Sequence, residues 1–63
     1  MEAGLRLSRR DGTLNVFFFT KLTREHCDEL FRANEKAATQ AELRKAVESL
    51  AKNWGREVTT VEL

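Results

Sequence analysis

The sequence has no proline and, in 63 residues, only one cysteine, one histidine and three glycines. Each shortage closes off a class of protein. Without proline there is no polyproline spacer, and no Ser-rich or repetitive stretch takes its place, so nothing marks a linker or a second domain. Cys27 alone cannot form an internal disulfide, and small secreted domains usually carry an even cysteine set. One Cys and one His also fall short of the roughly four ligands that a structural zinc site takes. No cofactor and no metal are therefore expected. The longest apolar run, Val16-Phe17-Phe18-Phe19, is far shorter than the roughly 18 residues that span a bilayer. Met1 to Leu7 lack the apolar core of about 7–15 residues that defines a signal peptide. The expectation is a cytoplasmic protein with no membrane partner.

Charge of one sign is also missing. The chain has 11 basic and 10 acidic residues, which argues against indiscriminate nucleic-acid binding, usually the mark of a strongly basic domain. The distribution is uneven, however. Residues 1–24 hold Arg6, Arg9, Arg10, Lys21 and Arg24 against Glu2 and Asp11. A chain this short buries only about 60% of its unfolded surface, so a partner or a second copy would add to a marginal stability.

What is present begins with Asp11-Gly12, a strong hairpin signal because a type I′ turn needs positive φ at both central residues. A two-residue Asp11-Gly12 loop pairs Arg10 with Thr13, Arg9 with Leu14, Leu7 with Val16 and Leu5 with Phe18. Opposed residues share a face, so Leu5, Leu7, Leu14, Val16 and Phe18 gather on one side. A three-residue loop would scatter them. The other side then carries Arg6, Ser8, Asn15, Phe17 and Phe19. Either another segment covers the two phenylalanines or they form an interface, since adjacent exposed apolar residues often mark one.

Two helices follow. Thr23 caps the first, with Leu22 and Cys27 spaced as a hydrophobic staple and Glu25 in the first turn. Cys27, Leu30, Phe31 and Asn34 form its apolar stripe, with Ala37 and Ala38 near the end. Thr39-Gln40-Ala41-Glu42 is a capping box in which Glu42 bonds back to the Thr39 amide. Leu43, Ala46, Val47, Leu50 and Trp54 repeat at helical spacing, and Gly55 stands at a left-handed C′ position. In one continuous helix the Leu30 and Val47 stripes would point about 160–180° apart, so the chain must reverse near Ala37-Ala38. The β-branched tail suggests a third strand beside the second. The expected fold is α+β, ββααβ: a small antiparallel sheet, made of an N-terminal β-hairpin plus a C-terminal strand, covered on one face by a two-helix hairpin. It forms one domain, 1–63, with the hairpin at 5–19, helices at about 23–37 and 40–54, and a strand at 57–62.

No residue pattern points to catalysis. His26 and Cys27 are adjacent, and successive helix positions point about 100° apart, so they do not face each other as a dyad must. Asp28 and Glu29, or Glu25 and Glu29, read as ion-pairing groups on a solvated face, as does Glu48 with Lys52. Trp54 continues the second helix stripe and so belongs to a core, although Trp is also enriched at interface hot spots.

From Leu14 to Leu50 the chain resembles the ribbon-helix-helix DNA-binding family. There a short strand precedes two helices, and Thr39, Glu42, Leu43, Arg44, Ala46, Val47 and Leu50 look like the second. The resemblance implies an obligate dimer whose paired strands enter the major groove. The chain departs from it in the extra first strand and the C-terminal strand. Of the outward residues Asn15, Phe17 and Phe19, only Asn15 offers hydrogen bonds to a base edge.

These features lead to an expected function: a small non-enzymatic protein-binding module, a regulator or inhibitor that docks on a larger protein. The expected partner-binding residues are Phe17 and Phe19 as apolar anchors, Arg6, Arg9 and Arg10 as a charged rim, and Trp54. The partner's identity is not encoded in the sequence, and a homodimer is one form the association can take. Nucleic acid is the less favoured partner, and a dimeric ribbon-helix-helix-like DNA-binding transcriptional regulator is the alternative.

Overall fold

The first hairpin forms, but two residues away from the expected pairing. The computed structural model describes residues 3–63, so the first two residues of the expected 1–63 domain lie outside it. Strands β1 (Ala3–Arg9) and β2 (Gly12–Phe18) run antiparallel, with Arg9 opposite Gly12, Leu7 opposite Leu14 and Leu5 opposite Val16. The turn is therefore Arg10-Asp11, which corrects the Asp11-Gly12 loop and the Leu7–Val16 and Leu5–Phe18 pairs. A type I′ turn would need Asp11 at positive φ, and only Gly12 takes it here, at +138°. Asp11 is instead held from outside the hairpin by the Gln40 amide, which its carboxylate accepts at 2.7 Å, and from within it by Arg9 Nε at 3.3 Å. Gly12 is required twice over. A Cβ there would lie 2.9 Å from both Gln40 Nε2 and the Leu63 carbonyl, and the backbone conformation is one that side chains disfavour.

A shift of two residues leaves every side chain on its original face, because the side-chain period is two. The inward set is accordingly as expected. Leu7, Leu14, Val16 and Phe18 are buried, and Leu5 packs against them. Strand β3 (Val58–Glu62) adds antiparallel to β2, with Val58 opposite Phe18 and Thr60 opposite Val16. The sheet order is β1-β2-β3, which makes β2 the central strand. The ββααβ layout is thus the observed one.

Helix α1 (Arg24–Lys36) starts at Thr23, whose hydroxyl accepts the His26 amide at 3.2 Å. Helix α2 (Gln40–Asn53) starts at Thr39, whose hydroxyl accepts the Glu42 amide at 3.2 Å. Glu42 reaches back to the amide of Ala38 at 2.9 Å, one residue earlier than the Thr39 amide expected. The end of α2 is a Schellman turn: Gly55, at φ +67°, donates to Lys52, and Arg56 donates to Ala51. This frees the chain to turn into β3.

Both helices lie on the inward face of the sheet, closing a core of Leu7, Leu14, Val16, Phe18, Leu30, Leu43, Val47 and Ala51. Burying each of the larger side chains contributes roughly 1.5–3 kcal/mol. Two helix positions differ from expectation. Phe31 is largely exposed, because α1 meets the core through Leu30, Ala33 and Ala37, and the small alanines let it sit close. On α2, Ala51 is buried one turn after Val47, while Leu50 and Trp54 flank the stripe. No helix among the described residues is long and apolar enough to cross a membrane.

Candidate functional site

The helices cover one face of the sheet and leave the other open. Outward positions follow from the register. Gly4, Phe17 and Thr59 form one rank across the three strands, and Arg6, Asn15 and Val61 form the next. Ser8 and Thr13 begin a third, which Leu63 completes by exchanging both backbone hydrogen bonds with Thr13. On this open side Phe17 is 45% exposed, Val61 42% and Leu63 66%, and Phe19, just past the strand, is 57% exposed. Phe17 and Phe19, with Phe18 and Thr59, line a shallow groove of about 190 Å³. Phe17 and Phe19 therefore lie outside the helical layer and next to each other.

Alternation along β3 explains why the patch is wider than two rings. Val58 and Thr60 face the helices, so Thr59 and Val61 must face out. The inward position near the strand's end is a charge, Glu62, which lies 3.6 Å from Arg44 of α2. Strand β3 thus turns its charge toward the helices and its valine toward solvent. Val61 and Leu63 were absent from the expected site. The signal was present in the alternation Thr59, Val61, Leu63, which needed only the facing of β3 to be read.

Phe17 is also seated. Its ring leans across the cross-strand glycine, since a Cβ on Gly4 would lie 3.3 Å from Cδ1 and 3.4 Å from Cε1. Covering a strand glycine with an aromatic ring stabilises the pair and fixes the ring's position. Beside it is a notch of about 290 Å³ lined by Gly4, Leu5, Arg6, Asn15 and Phe17. Arg6 is exposed and is the only charged residue among the outward positions of the three strands.

The other expected site residues divide. Arg10 is exposed at the tip of the hairpin, at the end of the sheet away from Phe17. Arg9 faces inward with Leu5 and Leu7, and its side chain is only 11% exposed. Its guanidinium donates to the Asn34 and Ala37 carbonyls at the end of α1 and to Asn34 Oδ1 at 2.7 Å. A cation at a helix C-terminus is favoured by the macrodipole and satisfies carbonyls that have no partner inside the helix. Asp11, two residues on, caps the start of α2 through Gln40. Adjacent ends of the hairpin thus fasten both helices at their junction, with Arg9 on the outgoing end and Asp11 on the incoming one. The Gln40 amide, with smaller help from Asp11's own amide and then the nearby Arg9 guanidinium, holds the Asp11 carboxyl below its ordinary value. Arg9 is therefore spent on the fold and does not contribute to a surface rim.

Trp54 lies on the helix side. Its indole stacks on the His26 ring with centroids 4.2 Å apart and meets Phe18 at 6.1 Å. It is half-buried and separated from Phe17 and Phe19 by the sheet. The expected set thus resolves into Phe17, Phe19 and Arg6 on the open side, Arg10 at the tip, and Arg9 and Trp54 built into the body. The ribbon pairing implied by the ribbon-helix-helix resemblance needs a free edge on the strand before the helices. Here that strand is β2, and both of its edges are taken by β1 and β3. Compared with known proteins, the chain matches no family model, no curated protein and no solved structure.

Proposed function

We propose that this chain is a small non-enzymatic module that regulates or inhibits a larger protein by docking the open face of its sheet on it. The observation that carries the reading is the exposure of Phe17, Phe19, Val61 and Leu63 along successive ranks of β2 and β3 on the side away from the helices. Apolar residues gathered in this way, and not scattered singly, are what distinguish an interaction surface from ordinary exposed hydrophobics. The two aromatic rings at one end of it are residue types that dominate interface energetics when desolvated. Arg6 supplies orientation at the rim and Arg10 a more distant positive charge, which act on encounter rate more than on affinity.

The test is affinity capture from extracts of the native host with the wild-type chain and with a Phe17→Ser, Phe19→Ser double variant. The expected result is a protein retained by the wild type and lost by the variant, while circular dichroism shows the variant folded. Retention of the same protein by the folded double variant would overturn the reading, as would a variant that no longer folds.

A further inference from the structure

The open face ends at a strand edge, and the two features together specify a mode of binding. β1 lies at the edge of the sheet. Because Thr13 bonds to Leu63 on the β3 side, antiparallel alternation directs the backbone groups of Leu14 and Val16 toward Leu7 and Leu5. The amides and carbonyls of Gly4, Arg6 and Ser8 therefore point away from the sheet. β1 pairs without a bulge from Ala3 to Arg9 and contains no proline, and its one outward charge is Arg6. Beside this row of free groups lies the shallow notch lined by Gly4, Leu5, Arg6, Asn15 and Phe17, with the Phe17 ring leaning over the Gly4 position.

We propose that β1 accepts an extended segment of a partner protein as a fourth strand, and that this segment carries a carboxylate two residues away from an apolar side chain. The inference rests on the docking reading above and gives it a partner chemistry. In strand addition the backbone bonds supply affinity and alternate side chains supply specificity. Gly4 and Arg6 are two apart and face the same way, so the residues opposing them are also two apart. An apolar side chain opposite Gly4 drops into the notch against the Phe17 ring. The residue opposite Arg6 meets a guanidinium that has no acidic neighbour among the described outward residues of the strands, and a carboxylate is the group that completes it.

Charge selects this occupant over a second copy of the chain. The described outward residues of β3 are Thr59 and Val61, and those of β1 are Gly4, Arg6 and Ser8, so among the described residues neither strand presents an outward carboxylate. Two β1 strands paired about their centres would set Arg6 against Arg6, and directly opposed like charges destabilise a strand pair.

The probe is the blocked hexapeptide Thr-Leu-Thr-Glu-Thr-Leu, in which the glutamate is flanked by leucine two residues away on both sides and so fits either strand direction. It is titrated into the full chain labelled with nitrogen-15. Amide shifts are expected at Gly4, Arg6, Ser8, Asn15 and Phe17, and not in the helices. Replacing glutamate by lysine in the peptide should weaken binding at least tenfold, and Arg6→Glu in the protein should invert that preference. Gly4→Val, which presses a side chain against the Phe17 ring and keeps the edge, should abolish the shifts. Equal binding of the two peptides, or shifts confined to the helical layer, would overturn the proposal. So would self-association through β1 that the peptide does not displace. If the peptide shifts nothing at millimolar concentration while the Phe17→Ser, Phe19→Ser variant still loses its captured partner, strand addition fails and the docking face stands.

Discussion

The two faces of this sheet are built from the same strands, and like residues placed on opposite faces have opposite fates. Phe18 is 1% exposed and its neighbours Phe17 and Phe19 are 45% and 57% exposed, in one uninterrupted run. Arg9 and Arg6, on one strand, differ in the same way: one guanidinium is drawn into the helix junction and the other is exposed. Side-chain chemistry does not separate these pairs. What separates them is the pleat, together with the fact that both helices lie on the same face of the sheet. A single covering layer leaves the other face for whatever the protein meets.

The comparison can be broken most forcefully at the phenylalanines. Phe18→Ala should destabilise the fold by about 3–5 kcal/mol, enough to unfold much of a small domain, whereas Phe19→Ala should change stability by no more than about 0.5 kcal/mol. Urea denaturation of the two variants measures both. Phe17→Ala is expected between them, at about 0.2–1 kcal/mol, because it uncovers Gly4. The arginines make the next contrast. Arg9→Ala removes charge-assisted bonds to the end of α1 and should cost about 1.5–3 kcal/mol, while Arg6→Ala should stay within about 0.5 kcal/mol. Equal losses for Arg9 and Arg6 would place the helix clamp elsewhere.

The smallest effect concerns Asp11. Its folded carboxyl titrates below the ordinary value of 3.8, so the unfolded state binds the proton more readily. The contribution is complete above that value and is lost as pH falls below it through the depressed one. Acid denaturation followed by Trp54 fluorescence should show Asp11→Asn losing stability near neutral pH and flattening the acid limb below about pH 4. An acid limb unchanged in the variant would assign it to other carboxylates.

Much of this was legible in the sequence where the determinants are local. Thr23, Thr39 and Gly55 act within a turn of helix, and each does what its type and position imply. The inward facing of Leu7, Leu14, Val16 and Phe18 follows from period-two alternation. The hairpin register did not follow, because a slip by two preserves that alternation, and the choice is made by Asp11 bonding to Gln40, 29 residues away. Arg9 was misjudged for the same reason: it looks like a turn residue until the end of α1 is placed above it. Phe31 drew the stripe of α1 toward itself by its hydrophobicity, whereas close approach to the sheet favoured Ala33 and Ala37. In the candidate site, Phe17, Phe19 and Arg6 were readable from the strand pattern. Val61 and Leu63 were not, since their direction depends on how β3 registers against β2.

The account turns on which rings of the run Phe17-Phe18-Phe19 touch water. A soluble paramagnetic agent added to the folded chain reads this directly, by broadening the proton signals of exposed rings. Strong broadening of Phe17 and Phe19 with Phe18 spared is the predicted pattern. Protection of Phe17 and Phe19 in the monomer would contradict it, because the face assigned to docking would then already be covered.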